Sequence, residues 1–448
     1  MVFDIQAALK RIASVFGQTN DQAPAPTGDD GLLPGQIADA LQPQPYPSVT
    51  EWPDDVLATI RYRQSTSYRE VSRALGIKGG AAAAFEHLRE TPRPGLTPEQ
   101  FRDYMGWQSL FSDEELEAAK QTIAEADAEE PELPQFDLED GLVRQRWFRI
   151  QTVLEEQALR HVGQPLHMLP YIATLPEGDI NARVVPTMDG DNYVIFYDHG
   201  MMRYLRDFAA LVCWVAPPID PTALLDDRAI AQLPRSHTLP PGTIDVCLNT
   251  LRRYIYEGTP EADAPYVSPP EWNRHLFVPV FQNMLSFVVA HEQGHVRLGH
   301  FATDRFGPVP EGEADGNAAF LISYQSLLGG QSWSVPFWCA DLALIAFRML
   351  DHTLCVLEHG KTGLPWKDEI YPAPEERRNS LRNYVPGDIP EISRLATGNL
   401  IGMNNSLFAM VEDQVTLFLV SDYTKGLRPS PLWNGRVRRT WGRAPQTP

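Results

Sequence analysis

The chain has 448 residues, 43% of them apolar, four cysteines and a formal net charge of −20. That length and apolar content can support a sizeable core and two domains with linkers, and the acidity argues against a general nucleic-acid binder. Cys213, Cys247, Cys339 and Cys355 are widely spaced with no CxxC pair; this disfavours a cysteine-based zinc site and a disulfide framework, and suits free thiols in a reducing cytoplasm.

Residues 1–19 read as a short amphipathic helix, because Asp4, Lys10 and Arg11 interrupt any secretion-type apolar core. Residues 20–50, rich in Pro, Gly, Asp and Gln, read as a flexible linker. Residues 51–126 are expected to form a helical accessory domain. Within it, Tyr68–Gly79 has the pattern of the first half of a helix-turn-helix, with Gly76 at the turn. The following Gly80–His87 lacks the Arg, Asn or Gln side chains that read base edges. Residues 51–104 carry eight basic and eight acidic residues, so nucleic acid is not the expected partner and a protein partner is. Residues 127–137 form an acidic, Pro-containing linker.

The main domain is expected over 138–420, opening with a helix at 140–162. Val184-Val185-Pro186 and Tyr193–Tyr197 flank Asp189-Gly190, which signals a β-hairpin with Pro186 on an edge strand. An exposed edge strand could align an extended peptide by β-augmentation. Residues 216–274 are Pro-rich around one short helix near 247–257 and read as an insertion that could cover or narrow a cleft.

The apolar run Phe287–Ala290 leads into His291-Glu292-Gln293-Gly294-His295, an HExxH pattern. On a helix the two histidines are separated by about 40° around the axis, so both imidazoles leave one face and can share a zinc ion. Glu292 would then sit beside the metal's open position and take a proton from a bound water. His300 lies five residues beyond His295, about 140° round a helix, so it is expected at the helix end rather than on the metal. Position 301, where a third histidine of the metzincin pattern would fall, is Phe301.

Sixteen residues after His295, Pro310 and Glu311 open a second helix that Gly329-Gly330 closes. Glu311 and Asp315 share one face at i,i+4 spacing. Glu311 is the expected third zinc ligand, and Asp315 the group that accepts the outer N–H of a ligand histidine. Glu313, about 200° away and expected on the outer face, is the alternative ligand. Ala314, Ala318 and Ala319 would let the two helices approach closely. Residues 335–358 are expected to form a core helix, and neither apolar window (276–290 or 335–350) is long and clean enough to span a membrane. Residues 386–420 read as an apolar helix, and 421–448 as a basic tail containing Arg436, Arg438, Arg439 and Arg443.

HExxH followed by Glu311-Gly312-Glu313-Ala314-Asp315 resembles the gluzincin metallopeptidases, with their E-x-x-A-D element. Asn181–Val185 with Tyr193–Tyr197, and Tyr371-Pro372 followed by Arg377 and Leu381, are similar to segments of the branch containing HtpX-type and CAAX-prenyl-protease-type enzymes. Soluble ImmA/IrrE-like and Lit-like proteases share the zinc pattern. The likeness spans roughly residues 140–385, with Tyr371 standing where that branch has His. It implies a zincin-like catalytic domain of mostly helical α+β class with a small antiparallel sheet. It also implies one Zn²⁺ per chain, Tyr371 as a hydrogen-bond donor to the scissile carbonyl oxygen, and Arg377 as a brace for that loop.

The resulting expectation is a cytoplasmic zinc endopeptidase acting on a protein or peptide substrate. The alternatives are a sensor or binding protein that keeps the zinc fold, and a protease with a single cellular target.

Overall fold

The computed structural model describes residues 52–78, 150–155, 166, 169–175, 180–187, 189–198, 200–233, 238–257, 267–301, 307–328, 332–362, 364, 372–384 and 389–433. The expectations for the N-terminal helix, both linkers, Gly80–His87, Tyr371 and the tail arginines lie outside these residues.

Asp54 and Asp55 complement the positive N-terminal end of helix α1 (Asp54–Leu75). Its apolar positions Val56 and Ile60, with Trp52 before them, share a small core with Ala173, Leu175, Val194 and Phe196 of the sheet. Gln64 Nε2 donates to the Thr174 carbonyl at 3.1 Å, and Asn192 Nδ2 to Asp55 at 3.2 Å. The first element of the segment read as an accessory domain therefore covers one face of the sheet.

Among the described residues, the sheet holds β1 (Tyr171–Leu175), β2 (Ala182–Pro186) and β3 (Tyr193–Asp198) in the order β1-β3-β2. β2 and β3 form the expected antiparallel hairpin across Asp189-Gly190. The sheet is mixed rather than antiparallel throughout, because β1 runs parallel to β3. The chain reverses once after β1 and again after β2, so β1 and β3 point the same way. Val194–Tyr197, buried along its length, then takes the central slot. That leaves β2 on an edge, where Pro186 costs no ladder hydrogen bond.

The other face of the sheet meets a helical body built around α5 (Arg274–Arg297), α6 (Pro308–Leu328) and α7 (Ser334–His359). Between β3 and α5 in the chain come α2 (Met201–Val215), α3 (Asp227–Ala231) and α4 (Thr243–Glu257). Helix α4 starts earlier than expected and packs on α2 and α9 (Glu391–Thr424). Asp422 of α9 receives both Arg252 and Tyr256 from α4. α7 is buried along nearly its whole length, as its composition requires. Among the described residues, no helix is long and apolar enough to cross a membrane.

Two close approaches set the position of the site. Gly294 faces α6 so tightly that a Cβ there would lie 3.3 Å from the Ala314 Cα. On another side of α6, a Cβ on Gly316 would come within 2.9 Å of the Tyr384 ring and one on Gly312 within 3.0 Å of Ser380 Oγ. These two glycines, one turn apart, form a shallow seat for α8 (Pro374–Asn383). Arg378 secures α8 from behind, buried against Asp341 of α7 at 3.0 Å.

Candidate metal centre

Helix α5 carries His291 and His295 on the face turned towards α6, which supplies Glu311 from its first turn. The Nε2 atoms of the two histidines are 3.1 Å apart, and they lie 3.4 and 3.5 Å from the Glu311 carboxylate oxygens. All three side chains are largely shielded, with side-chain exposures of 8%, 12% and 7%. Donors bound at ~2.0–2.1 Å in a tetrahedron sit about 3.3 Å from one another. The donor set fits a zinc ion on both chemistry and spacing, and it is the one His/Cys/Asp/Glu group of that kind among the described residues.

Each partner has a defined support. Asp315, fully buried one turn after Glu311, lies 2.9 Å from His291 Nδ1. It also receives Arg377 from α8 through two hydrogen bonds of 2.9 and 2.7 Å. Arg377 reaches within 3.7 Å of Glu311 as well, so α8 braces the ligand helix itself. Glu292 faces the sheet, where its Oε2 accepts the backbone N–H of Val184 at 2.7 Å. The contact joins the edge strand to the carboxylate expected to act as base.

One sequence expectation is corrected and another extended. Glu313 is buried rather than on the outer face, and it does not join the donor set; it lies 3.0 Å from His300 Nε2. His300 stands past the helix end and outside the donor set, as expected, but it is 1% exposed and its Nδ1 is 2.8 Å from Nδ1 of His295. The helix stops at Arg297, and Gly299 at φ +67° turns the chain back so that His300 points under His295. The available sequence signal was Gly299, which marks a chain reversal just before His300.

The electrostatics follow from burial and mutual contact. Burial pushes the Glu292 carboxyl up to about 7, with Glu311 adding to the rise and the charge of His291 opposing it. Burial disfavours charge on His291, yet Asp315 outweighs it and raises that imidazole to about 10. Burial and the neighbouring His291 pull His295 down to about 3. Burial works against ionised Glu311, but hydrogen bonding to His291 and the charges of His291, Arg377 and His295 hold it at about 2. Asp315 is held well below the carboxylate range against its burial, chiefly by Arg377.

These groups open into a cleft of about 400 Å³. One wall is residues 181–186 of the edge strand; Phe287, Val288, Phe301 and Phe347 supply apolar surface, and Arg63 from α1 reaches in. None of the described residues of 216–274 lines it. That segment packs on α2, α7 and α9 instead. Searches against protein-family models, curated proteins and solved structures find no match to this chain.

Proposed function

We propose that this chain is a zinc-dependent endopeptidase with a zincin-like catalytic domain, working on an extended protein or peptide segment in the cytoplasm. The observation that carries the reading is the convergence of His291, His295 and Glu311 beside a buried glutamate in an open cleft. His291 and His295 through Nε2, with the Glu311 carboxylate, would hold the ion. When bound, zinc supplies Lewis acidity, which polarises a carbonyl and lowers the pKa of water towards ~7.

The chain's own groups perform the remaining work. Edge strand β2 offers outward backbone groups with which a peptide can pair, which brings a carbonyl alongside the cleft floor. Glu292 Oε2 is held by the Val184 N–H, leaving Oε1 to take the proton of the attacking water and deliver it to the departing amine. A carboxyl raised towards 7 suits both halves of that transfer. Phe287, Phe301 and Phe347 limit water on the apolar side.

The test is cleavage of an unstructured protein substrate by the full chain. Activity should vanish with a chelator, return with Zn²⁺, and fall ~10²–10⁴-fold in Glu292→Gln while stoichiometric zinc is retained. A Glu292→Gln protein cleaving at the wild-type rate would overturn the assignment.

A further inference from the structure

The two candidate ligand histidines are supported unequally, and the difference has chemical content. His291 meets the Asp315 carboxylate directly. His295 instead meets a second imidazole, His300, and only beyond it the Glu313 carboxylate. Both members of this outer pair are buried, at 1% and 4% exposure. Burying a carboxylate and an imidazole together costs free energy unless their hydrogen bonds are made.

A contact between two Nδ1 atoms at 2.8 Å needs one proton between them, since two lone pairs facing each other repel. Which ring owns that proton is decided at the far end. Glu313 as a carboxylate only accepts, so it draws the His300 proton to Nε2. A neutral His300 protonated there presents a lone pair at Nδ1, and the bridging proton therefore belongs to His295 Nδ1. The consequence falls on the other nitrogen: His295 Nε2 carries its lone pair towards His291 Nε2 and Glu311, where a metal would be bound.

We propose that Glu313 and His300 form a positioning relay that fixes the tautomer and ring orientation of His295, so that α6 supplies one metal ligand and the carboxylates that orient both histidines. Neither relay residue belongs to the donor set, although His300 also lines the cleft. The inference rests on the zinc-centre reading above and is separable from it.

The experiment is Zn²⁺ affinity of the full chain at neutral pH, by competition with a chromophoric chelator, with Co²⁺ visible absorption reporting ligand geometry. Glu313→Ala and His300→Phe should weaken zinc binding ~10–100-fold, whereas His300→Asn should stay within about threefold of wild type. Asn places its Oδ1 where His300 Nδ1 sits and accepts from His295 without help, so adding Glu313→Ala to His300→Asn should cost no further affinity. Chelator-treated unfolding curves establish that each variant is folded. Zinc binding by His300→Phe equal to wild type, or by His300→Asn as weak as His300→Phe, overturns the relay in favour of a filling role. A wild-type chain with no measurable zinc affinity instead overturns the metal-centre reading.

Discussion

Glu292→Gln should make the zinc-stripped protein more stable even though the proposed mechanism has it inactive, and the gain should depend on pH. Glu292 is 5% exposed, and burial lifts its carboxyl from an ordinary 4.5 to about 7. A carboxyl raised in the folded state contributes stability that is fully present below pH 4.5 and is lost as pH rises through 7. Each unit corresponds to about 1.4 kcal/mol, so ionised Glu292 costs the fold roughly 3 kcal/mol above neutrality. Glutamine keeps the shape and can still accept from the Val184 N–H, but carries no charge to desolvate. Urea unfolding of both proteins in excess chelator, at pH 5 and pH 8, should show a stability gap that widens by roughly 2–3 kcal/mol in favour of Glu292→Gln. A gap that is constant across that range, or that favours the wild type at pH 8, would refute burial as the cause of the raised carboxyl.

Two further expectations concern the supports of the site. Gly316→Ala forces a Cβ into the Tyr384 ring; it should cost roughly 1–3 kcal/mol of stability and, by lifting α8 and Arg377 from Asp315, should also weaken zinc affinity. Unchanged zinc affinity in a destabilised Gly316→Ala protein would show that α8 does not brace the centre. Arg63 is exposed and lines the cleft, so Arg63→Glu should lower kcat/KM for peptides with an acidic side chain near the scissile bond by roughly 3–10-fold while sparing neutral ones. Equal losses on acidic and neutral peptides would remove Arg63 from specificity.

What the sequence revealed and what it hid divide along one physical line. The pairs His291/His295 and Glu311/Asp315 were legible because each lies inside one helix, where spacing alone fixes which side chains share a face. The β2–β3 hairpin was legible for the same local reason: alternation on both sides of Asp189-Gly190. The parallel partner β1 was not, since strand order depends on which strand takes the central slot. The sheet cover by α1 was equally hidden, because Val56 and Ile60 look alike whether they line a separate domain or the back of a distant sheet. The contact between His300 and Glu313 was hidden for a sharper reason. Glu313 was assigned solvent on the far side of α6, and nothing local says where a chain goes after its helix ends; the turn at Gly299 carries the His300 imidazole back between His295 and Glu313.

On the proposed endopeptidase reading, the Glu292–Val184 contact would tie substrate docking to proton transfer. In the β2–β3 ladder, Asn181 and Thr187 pair inward with Asp198 and Asn192, so the alternation turns the backbone groups of Ala182, Val184 and Pro186 outward. Pro186 has no N–H to offer, and the Val184 N–H is held by Glu292. The outward edge is therefore rich in carbonyl acceptors and poor in donors beside the donor cluster. On the proposed reading, a peptide pairing here donates N–H groups to the outward carbonyls of the strand, while its alternate residues turn their carbonyls away from β2 into the cleft that His291, His295 and Glu311 also line. The hydrogen bond that immobilises Glu292, the proposed base, thus also removes a donor from the edge at which the proposed substrate would pair.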